Sequence, residues 1–210
     1  MKKLNHPTEY RKELRGRILE VAMQDFIQRG IRAVKMDDIA GSLGISKRTL
    51  YEIFPNKESL LLEGIRLKQA MGEEEMAKYV TEKNPNTMDI IMKFYHMQME
   101  ELSSLPMTFI TEISRYPLVT DFLRKKHQKS EENANRFFIR GVKEGYFRSD
   151  VDYELISRLG EGMTQNAIAR QLYYQYEPQY IFRNIIFLFL RGFCTQKGLE
   201  YIDNTLIENK

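Results

Sequence analysis

The chain has 210 residues, a formal net charge of +3, one cysteine and only 12 glycines and six prolines. The single cysteine, Cys194, excludes an intrachain disulfide framework, and the longest purely apolar run, 185–190, is far shorter than a membrane-spanning helix. The basic first residues are not followed by the apolar segment of a signal peptide, so we expect a cytoplasmic protein that does not enter a membrane.

The positive charge is concentrated at the N-terminal end. Residues 1–60 carry 12 lysines and arginines against eight acidic residues, whereas the other 150 residues carry 20 against 21. A basic end is typical of chains that bind nucleic acid or an anionic membrane, and it is also typical of a solvated helical surface. Charge alone leaves both interpretations open.

Helical periodicity runs through the N-terminal part of the chain. A first helix ends at Gly30, and a short second helix covers 36–43 before Gly44. Ser46 is a good N-cap for a third helix. Pro55 stops that helix, because the residue before a proline avoids the helical region.

Longer helices are predicted beyond residue 60, and no alternating strand pattern interrupts them. A break at 84–87 precedes a helix through Met99, and further helical segments are predicted over 107–114, 118–143, 150–174 and 178–196. The sequence therefore predicts an all-α fold of eight or nine helices. We divide it into an N-terminal domain over 1–60 and a larger helical domain over 61–210.

The second and third helices, joined by a turn at Gly44, fit a helix-turn-helix. Apolar Leu50 and Phe54 form the inner face of the third helix, and polar side chains lie on the other. A helix that presents basic and hydroxyl groups on its first two turns can enter the major groove with its N-terminus first. The basic end of the chain therefore favours DNA as the anionic partner.

Individual side chains of this region suit separate DNA contacts. Arg48 can bond guanine O6 and N7 in a bidentate manner, Lys47 can bind guanine or a phosphate, and the Tyr51 hydroxyl can reach a phosphate. Lys57 lies at the start of the next helix, where free backbone N–H groups favour an anion. Glu52 either faces away from the phosphates or accepts a hydrogen bond from cytosine N4.

The stretch 34–60 closely resembles the signature of tetracycline-repressor-like (TetR family) transcriptional regulators, and the resemblance extends over 15–62. The matching elements are Ile39-Ala40, Leu43-Gly44-Ile45-Ser46, Leu50-Tyr51, Phe54 and Lys57-Glu58. The resemblance implies a homodimer in which residues 1–60 are a DNA-binding domain for a palindromic double-stranded operator. It implies that residues 61–210 are an effector-binding and dimerisation domain, which takes a small molecule that releases the DNA. It places Ser46, Lys47, Arg48, Thr49 and Tyr51 in the recognition helix and Lys57 at a phosphate.

Two departures from the family pattern affect the DNA contacts. Val34 and Lys35 stand where the family often has a phosphate-binding threonine or serine, and Lys35 is the candidate to replace that contact. Arg48 stands where many members have glycine. Its long donor side chain means that an operator sequence cannot be carried over from other members.

The predicted last helix is apolar around nearly its whole circumference, so it must be covered on most sides. A partner subunit is one cover, and a wholly intramolecular core is the alternative. The family role favours a dimer bundle with the preceding helix. The candidate interface residues are Met163, Ile168, Leu172, Ile186, Phe189, Leu190 and Phe193.

An adaptable effector pocket is expected to use methionine and aromatic side chains with a few polar groups. The candidates are Met92, Tyr95, His96, Met99, Phe109, Tyr116, Phe138 and Asn166, and they favour an apolar or aromatic effector. Residues of these types at helical spacing also occur as plain core.

An enzyme and a small-molecule-binding protein are the two alternatives to a regulator. An enzyme is not expected, because the three histidines lie far apart and no nucleophile elbow, phosphate loop or metal-binding spacing is present. We accordingly expect no cofactor and no metal. A helical small-molecule-binding protein without a DNA role is the main alternative, and steep salt dependence of DNA binding separates the two.

Overall fold

The computed structural model describes the backbone of residues 6–208 and the side chains of 9–126, 134–160, 162–163 and 166–205. Over residues 6–208 the chain forms ten α-helices and one 3₁₀ turn, and its β-structure is limited to an antiparallel bridge between Phe147 and Cys194. The prediction of an all-α fold is confirmed. No helix within this range is long and apolar enough to cross a membrane.

The helices follow one another with short connections. They are α1 (His6–Arg29), α2 (Met36–Ser42), α3 (Lys47–Ile53), α4 (Lys57–Lys83), α5 (Thr87–Ser104), α6 (Met107–Ile113), α7 (Pro117–Lys143), α8 (Tyr153–Ala169), α9 (Pro178–Phe193) and α10 (Gln196–Glu208). The 3₁₀ turn, Leu172–Tyr174, lies between α8 and α9.

The structure corrects the sequence prediction at two helix ends. The helix predicted over 150–174 ends at Ala169, because Gln171 adopts a left-handed conformation with φ of 55°. The helix predicted over 178–196 ends at Phe193, because Cys194 is extended (φ −74°, ψ 148°). The Thr195 hydroxyl then accepts the N–H of Gly198 at 3.3 Å and begins α10, a helix that the sequence prediction lacks.

The chain forms two compact units. The first comprises residues 6–71 together with Thr108–Leu123, and the second comprises Gly72–Met107 together with the residues from Arg124 onward. In the first unit α6 and the start of α7 therefore accompany the N-terminal helices. The predicted division of roles at residue 60 stays a prediction.

Each unit has its own core. The core of the first unit includes Ile18, Phe26, Val34, Ile39, Leu50, Phe54, Leu60, Leu61, Phe109 and Val119. The core of the second unit is built from Met88, Ile91, Phe147, Leu190, Phe193, Cys194 and Ile202. The buried side chain of Leu50 is what fixes the inner face of α3 and leaves its other face to solvent.

Candidate nucleic-acid interface

The turn between α2 and α3 is a complete Schellman motif. Gly44 has a φ of 64°, and its N–H donates to the carbonyl of Gly41 at 3.1 Å. The N–H of Ile45 donates to the carbonyl of Ala40, also at 3.1 Å. Glycine is required at the left-handed position, and the two bonds satisfy the last carbonyls of α2 as the chain turns into α3.

The N-terminus of α3 is capped by its own side chains. The Ser46 hydroxyl accepts the N–H of Thr49 at 3.1 Å and lies 2.8 Å from the Thr49 hydroxyl. Both predicted recognition hydroxyls are therefore engaged with each other at the first turn. The cap fixes where α3 begins and so which residues its outer face carries.

The outer face of α3 presents exposed cationic and aromatic groups. The side chain of Arg48 is 89% exposed, and Tyr51 is 45% exposed. Arg48 Nε donates to Glu52 Oε1 at 2.9 Å, and Lys47 Nζ donates to Asp37 Oδ2 at 2.6 Å. A hydrogen bond and the charge of Asp37 raise the pKa of Lys47 above its ordinary value.

These two ion pairs lie at the surface and are weak. Water and salt screen exposed charges, so a base edge or a phosphate can replace the carboxylate. The sequence allows two roles for Glu52, and its four-residue spacing to Arg48 on a helix is the signal that indicates an ion pair. Glu52 faces Arg48 in the structure.

Lys57 faces the interior of the first unit. Its Nζ donates to the carbonyl oxygens of Ile31 at 2.7 Å and Val34 at 2.8 Å, with Arg32 at 3.4 Å. Burial lowers the pKa of the Lys57 ammonium, and the charge of Glu112 opposes that shift. This geometry does not support the predicted phosphate contact of Lys57, whereas the exposed Lys35 at the start of α2 stays available for one.

Two arginines of α1 contact the C-terminal end of α3 and the following helix α4. Arg11 Nη2 donates to the carbonyl of Glu52 at 3.3 Å. Arg15 pairs with Glu63 at 2.5 Å and lies with its guanidinium 5.3 Å from the centre of the Phe54 ring. Part of the N-terminal positive charge is therefore structural, which the charge count alone could not show.

The predicted effector residues do not gather in one place. Phe109 and Tyr116 belong to the first unit, where Phe109 is buried. In the second unit Met92 and Tyr95 are buried, Met99 is half-buried and His96 is exposed. Phe138 is stacked on Tyr153 at 4.5 Å between ring centres, within the aromatic core.

An open groove of about 290 Å³ lies in the second unit between α8, the 3₁₀ turn and α9. Its lining is mainly apolar, with two tyrosines and two asparagine amides. The lining residues are Met163, Asn166, Ala167, Leu172, Tyr176, Tyr180, Ile181, Asn184 and Ile185. Asn166 is the one predicted effector residue among them.

The predicted dimer residues divide into two groups. Met163 and Ile168 are exposed, and Leu172 is half-buried in the groove. Leu190 and Phe193 belong to the core of the second unit, and the half-buried Ile186 and Phe189 pack against it. The exposed apolar surface of α8 instead adds Leu155 and Leu159, which are 53% and 50% exposed.

Comparison with known proteins identifies the N-terminal helices. The family model for bacterial regulatory proteins of the tetR family matches residues 18–63, which contain the whole α2–α3 motif. The N-terminal helices of this chain are therefore those of a TetR-family DNA-binding domain. Together with its similarity to regulators, this domain makes the chain a ligand-responsive, DNA-binding transcriptional regulator, and a small-molecule-binding protein without a DNA role is not favoured.

Relatives of this chain carry both repressor and activator names. The transcriptional repressor KstR2 of Mycobacterium tuberculosis is 26% identical over 163 residues, covering 69% of this chain and 74% of the relative. The transcriptional activator FasR of Mycolicibacterium smegmatis is 44% identical over 52 residues, covering 25% of this chain and 24% of the relative. The resemblance to FasR is therefore local.

A solved structure matches most of this chain. A transcriptional regulator from Saccharomonospora viridis, in complex with choline, matches with a TM-score of 0.68 over 88% of this chain and 100% of that one. The sequence identity is 20%. At that identity the match establishes the fold of the chain.

Proposed function

We propose that this regulator is a repressor that binds a near-palindromic operator as a homodimer and is released by a small molecule. The observation that carries the proposal is the two-sided character of α3. Leu50 is fully buried, whereas Lys47, Arg48 and Tyr51 stand on the outer face. A two-fold dimer would present two such helices to half-sites about one helical turn apart.

Each outer side chain has a separate proposed role. Arg48, the most exposed of them, reads a guanine in the major groove after leaving Glu52. Lys47, Lys35 and Tyr51 contact phosphates and set the register of the protein on the duplex. Ser46 and Thr49 stabilise the first turn of the recognition helix through the bonds between them.

The exposed stripe on α8 supports the homodimer. Leu155, Leu159 and Met163 recur every four residues, so they lie on one face of the helix. On α9, Tyr180 and Leu188 are 58% and 62% exposed. Contiguous exposed apolar surface marks an interaction site, and a second copy of the same stripe is its proposed cover.

The groove beside this stripe supports an apolar or aromatic effector. Its volume is at the small end for ligand sites, and its two tyrosines and two asparagine amides supply a few polar groups among aliphatic walls. Met163 belongs both to the groove and to the stripe. A ligand seated there would favour one dimer geometry over another, and by linkage it weakens DNA binding only to that extent.

The test is selection of bound DNA from a random pool, followed by a salt series on the selected site. We expect an inverted repeat and a log affinity that falls steeply with log salt. Arg48→Ala should relax base preference, while Arg158→Ala, an exposed arginine of α8 paired with Glu154, serves as the control. Binding without salt dependence and without an enriched sequence would support the alternative of a ligand-binding protein.

A further inference from the structure

The loop between α1 and α2, residues 30–35, is held between two charged side chains. Lys57 of α4 donates to the carbonyls of Ile31 and Val34 from one side. Glu112 of α6 accepts the backbone N–H of Arg32 through Oε2 at 2.9 Å. An ammonium therefore holds the carbonyl groups of the loop, and a carboxylate holds an amide group. We call these two side chains the loop clamp.

The glycine that begins the loop leaves room for the carboxylate. Gly30 has a φ of 86°, and a Cβ at this position would lie 3.3 Å from Glu112 Oε2. That separation is tighter than an ordinary van der Waals contact, and the backbone conformation itself favours glycine. The close approach of α6 to the loop therefore depends on a glycine at position 30 and on a carboxylate at position 112.

The segment that carries Glu112 is attached to α4 at further points. Glu58 Oε1 accepts the N–H of Leu118, in the first turn of α7, at 2.8 Å. The guanidinium of Arg66 lies 5.2 Å from the ring centre of Phe122. These contacts hold α6 and the start of α7 in the same compact unit as the helix-turn-helix.

The position of the loop determines where α2 begins. The N–H of Lys35, at the end of the loop, donates to the side chain of Asp38 at 3.0 Å and caps the first turn of α2. From α2 the chain passes directly into α3 through the turn fixed by the backbone hydrogen bonds of Gly44 and Ile45. A displacement of the loop is therefore passed to α2 and, through the Schellman turn, to the outer face of α3.

We propose that Glu112 is a positioning residue for operator binding, which acts on α3 through the backbone of the α1–α2 loop. The proposal deepens the proposed function and rests on it, since it concerns how well α3 is set for DNA. A residue of α6 then contributes to DNA binding, although α6 lies some 50 residues beyond the helix-turn-helix in the sequence.

The test compares Glu112→Ala with Glu112→Gln and with the control Glu74→Ala, at an exposed glutamate of α4. Alanine removes the acceptor, whereas glutamine keeps one oxygen that can accept the Arg32 N–H. Hydrogen exchange of the Arg32 amide reports the loop directly, and dissociation constants for the selected operator and for random DNA report the positioning of α3.

We expect Glu112→Ala to speed exchange of the Arg32 amide by about tenfold or more and to weaken operator binding by about tenfold. Binding to random DNA should change by less than about twofold, because the cations of α3 remain. Glu112→Gln should restore both readouts to within about threefold, and the control should match the wild type. Should Glu112→Ala fail to fold, Glu112→Asp serves instead, since its shorter carboxylate does not reach the Arg32 amide.

Faster exchange with unchanged operator affinity would overturn the positioning role and leave the proposed function intact. Unchanged exchange would show that the bond to Arg32 does not hold the loop. Failure of the wild type itself to bind DNA would refute the proposed function, while exchange at Arg32 would still decide whether Glu112 holds the loop.

Discussion

Lys57→Met separates a structural role of Lys57 from a phosphate contact. The substitution keeps most of the aliphatic stem and removes the ammonium that bonds the carbonyls of Ile31 and Val34 at 2.7 and 2.8 Å. A hydrogen bond to a charged group contributes about 1.5–3 kcal/mol. Because Lys57 is only half-buried, water can reach the freed carbonyls, so we expect a loss of about 2 kcal/mol and not the sum of two bonds.

Urea unfolding followed by circular dichroism measures this loss, and it should appear as a lower midpoint with an unchanged slope. A salt series on the selected operator should keep the wild-type slope. Lys35→Met is the matched control, because its ammonium is exposed. It should leave stability within about 0.5 kcal/mol and lower the salt slope by about 0.9. A Lys57→Met protein that is as stable as the wild type but has a salt slope reduced by about 0.9 would refute the structural role.

Three further outcomes are expected. Arg48→Ala should cost about 1–3 kcal/mol on the selected operator and relax preference at one base pair; equal losses on random DNA in the same anisotropy titration would reduce Arg48 to a phosphate contact. Leu159→Asp should convert a dimer into a monomer in analytical ultracentrifugation, because it places a charge in the exposed stripe of α8; an unchanged mass would remove that stripe from the interface. Burial raises the pKa of Glu144, but hydrogen bonds from Thr87 and Arg140 outweigh burial and lower it, so its stabilisation is complete above the ordinary pKa of about 4.5 and is lost as pH falls through the lowered value. Glu144→Gln should therefore flatten the acid side of the stability profile measured by chemical unfolding, and an unaltered profile would contradict this assignment.

Local signals in the sequence were sufficient for the DNA-binding helices. Gly44, Ser46 and Pro55 each act on the residues beside them, so the turn, the cap and the end of α3 could be predicted without tertiary information. The inner position of Leu50 followed from helical spacing alone. The structure bears out these elements because capping and periodicity act over fewer than about eight residues.

Contacts between distant residues could not be predicted in the same way. The bonds of Lys57 to carbonyls 23 and 26 residues away, and of Glu112 to an amide 80 residues away, leave no periodic pattern. Lys57 therefore looked like an anion-binding residue at a helix start. Helical spacing likewise predicts that Leu190 and Phe193 lie on an apolar face but does not show what covers it, and in the structure they lie in the core of the second unit.

The end of α9 shows a third kind of difference. Its apolar run continues into Cys194, and periodicity alone extends the helix, whereas the chain there bridges to Phe147 in an extended conformation. The N–H of Arg148 donates to the carbonyl of Phe193 at 2.9 Å. A tertiary backbone contact thus ends the helix where no glycine or proline marks the end.

The most direct measurement of DNA binding by α3 is a selection of random DNA with the wild type and with Arg48→Ala, read at one salt concentration. If α3 reads the operator, the wild type enriches an inverted repeat with half-sites about one helical turn apart, and Arg48→Ala loses preference at the same position of both half-sites. Identical enriched sequences for the two proteins, or no enrichment by the wild type, would contradict the claim that α3 reads the operator through Arg48.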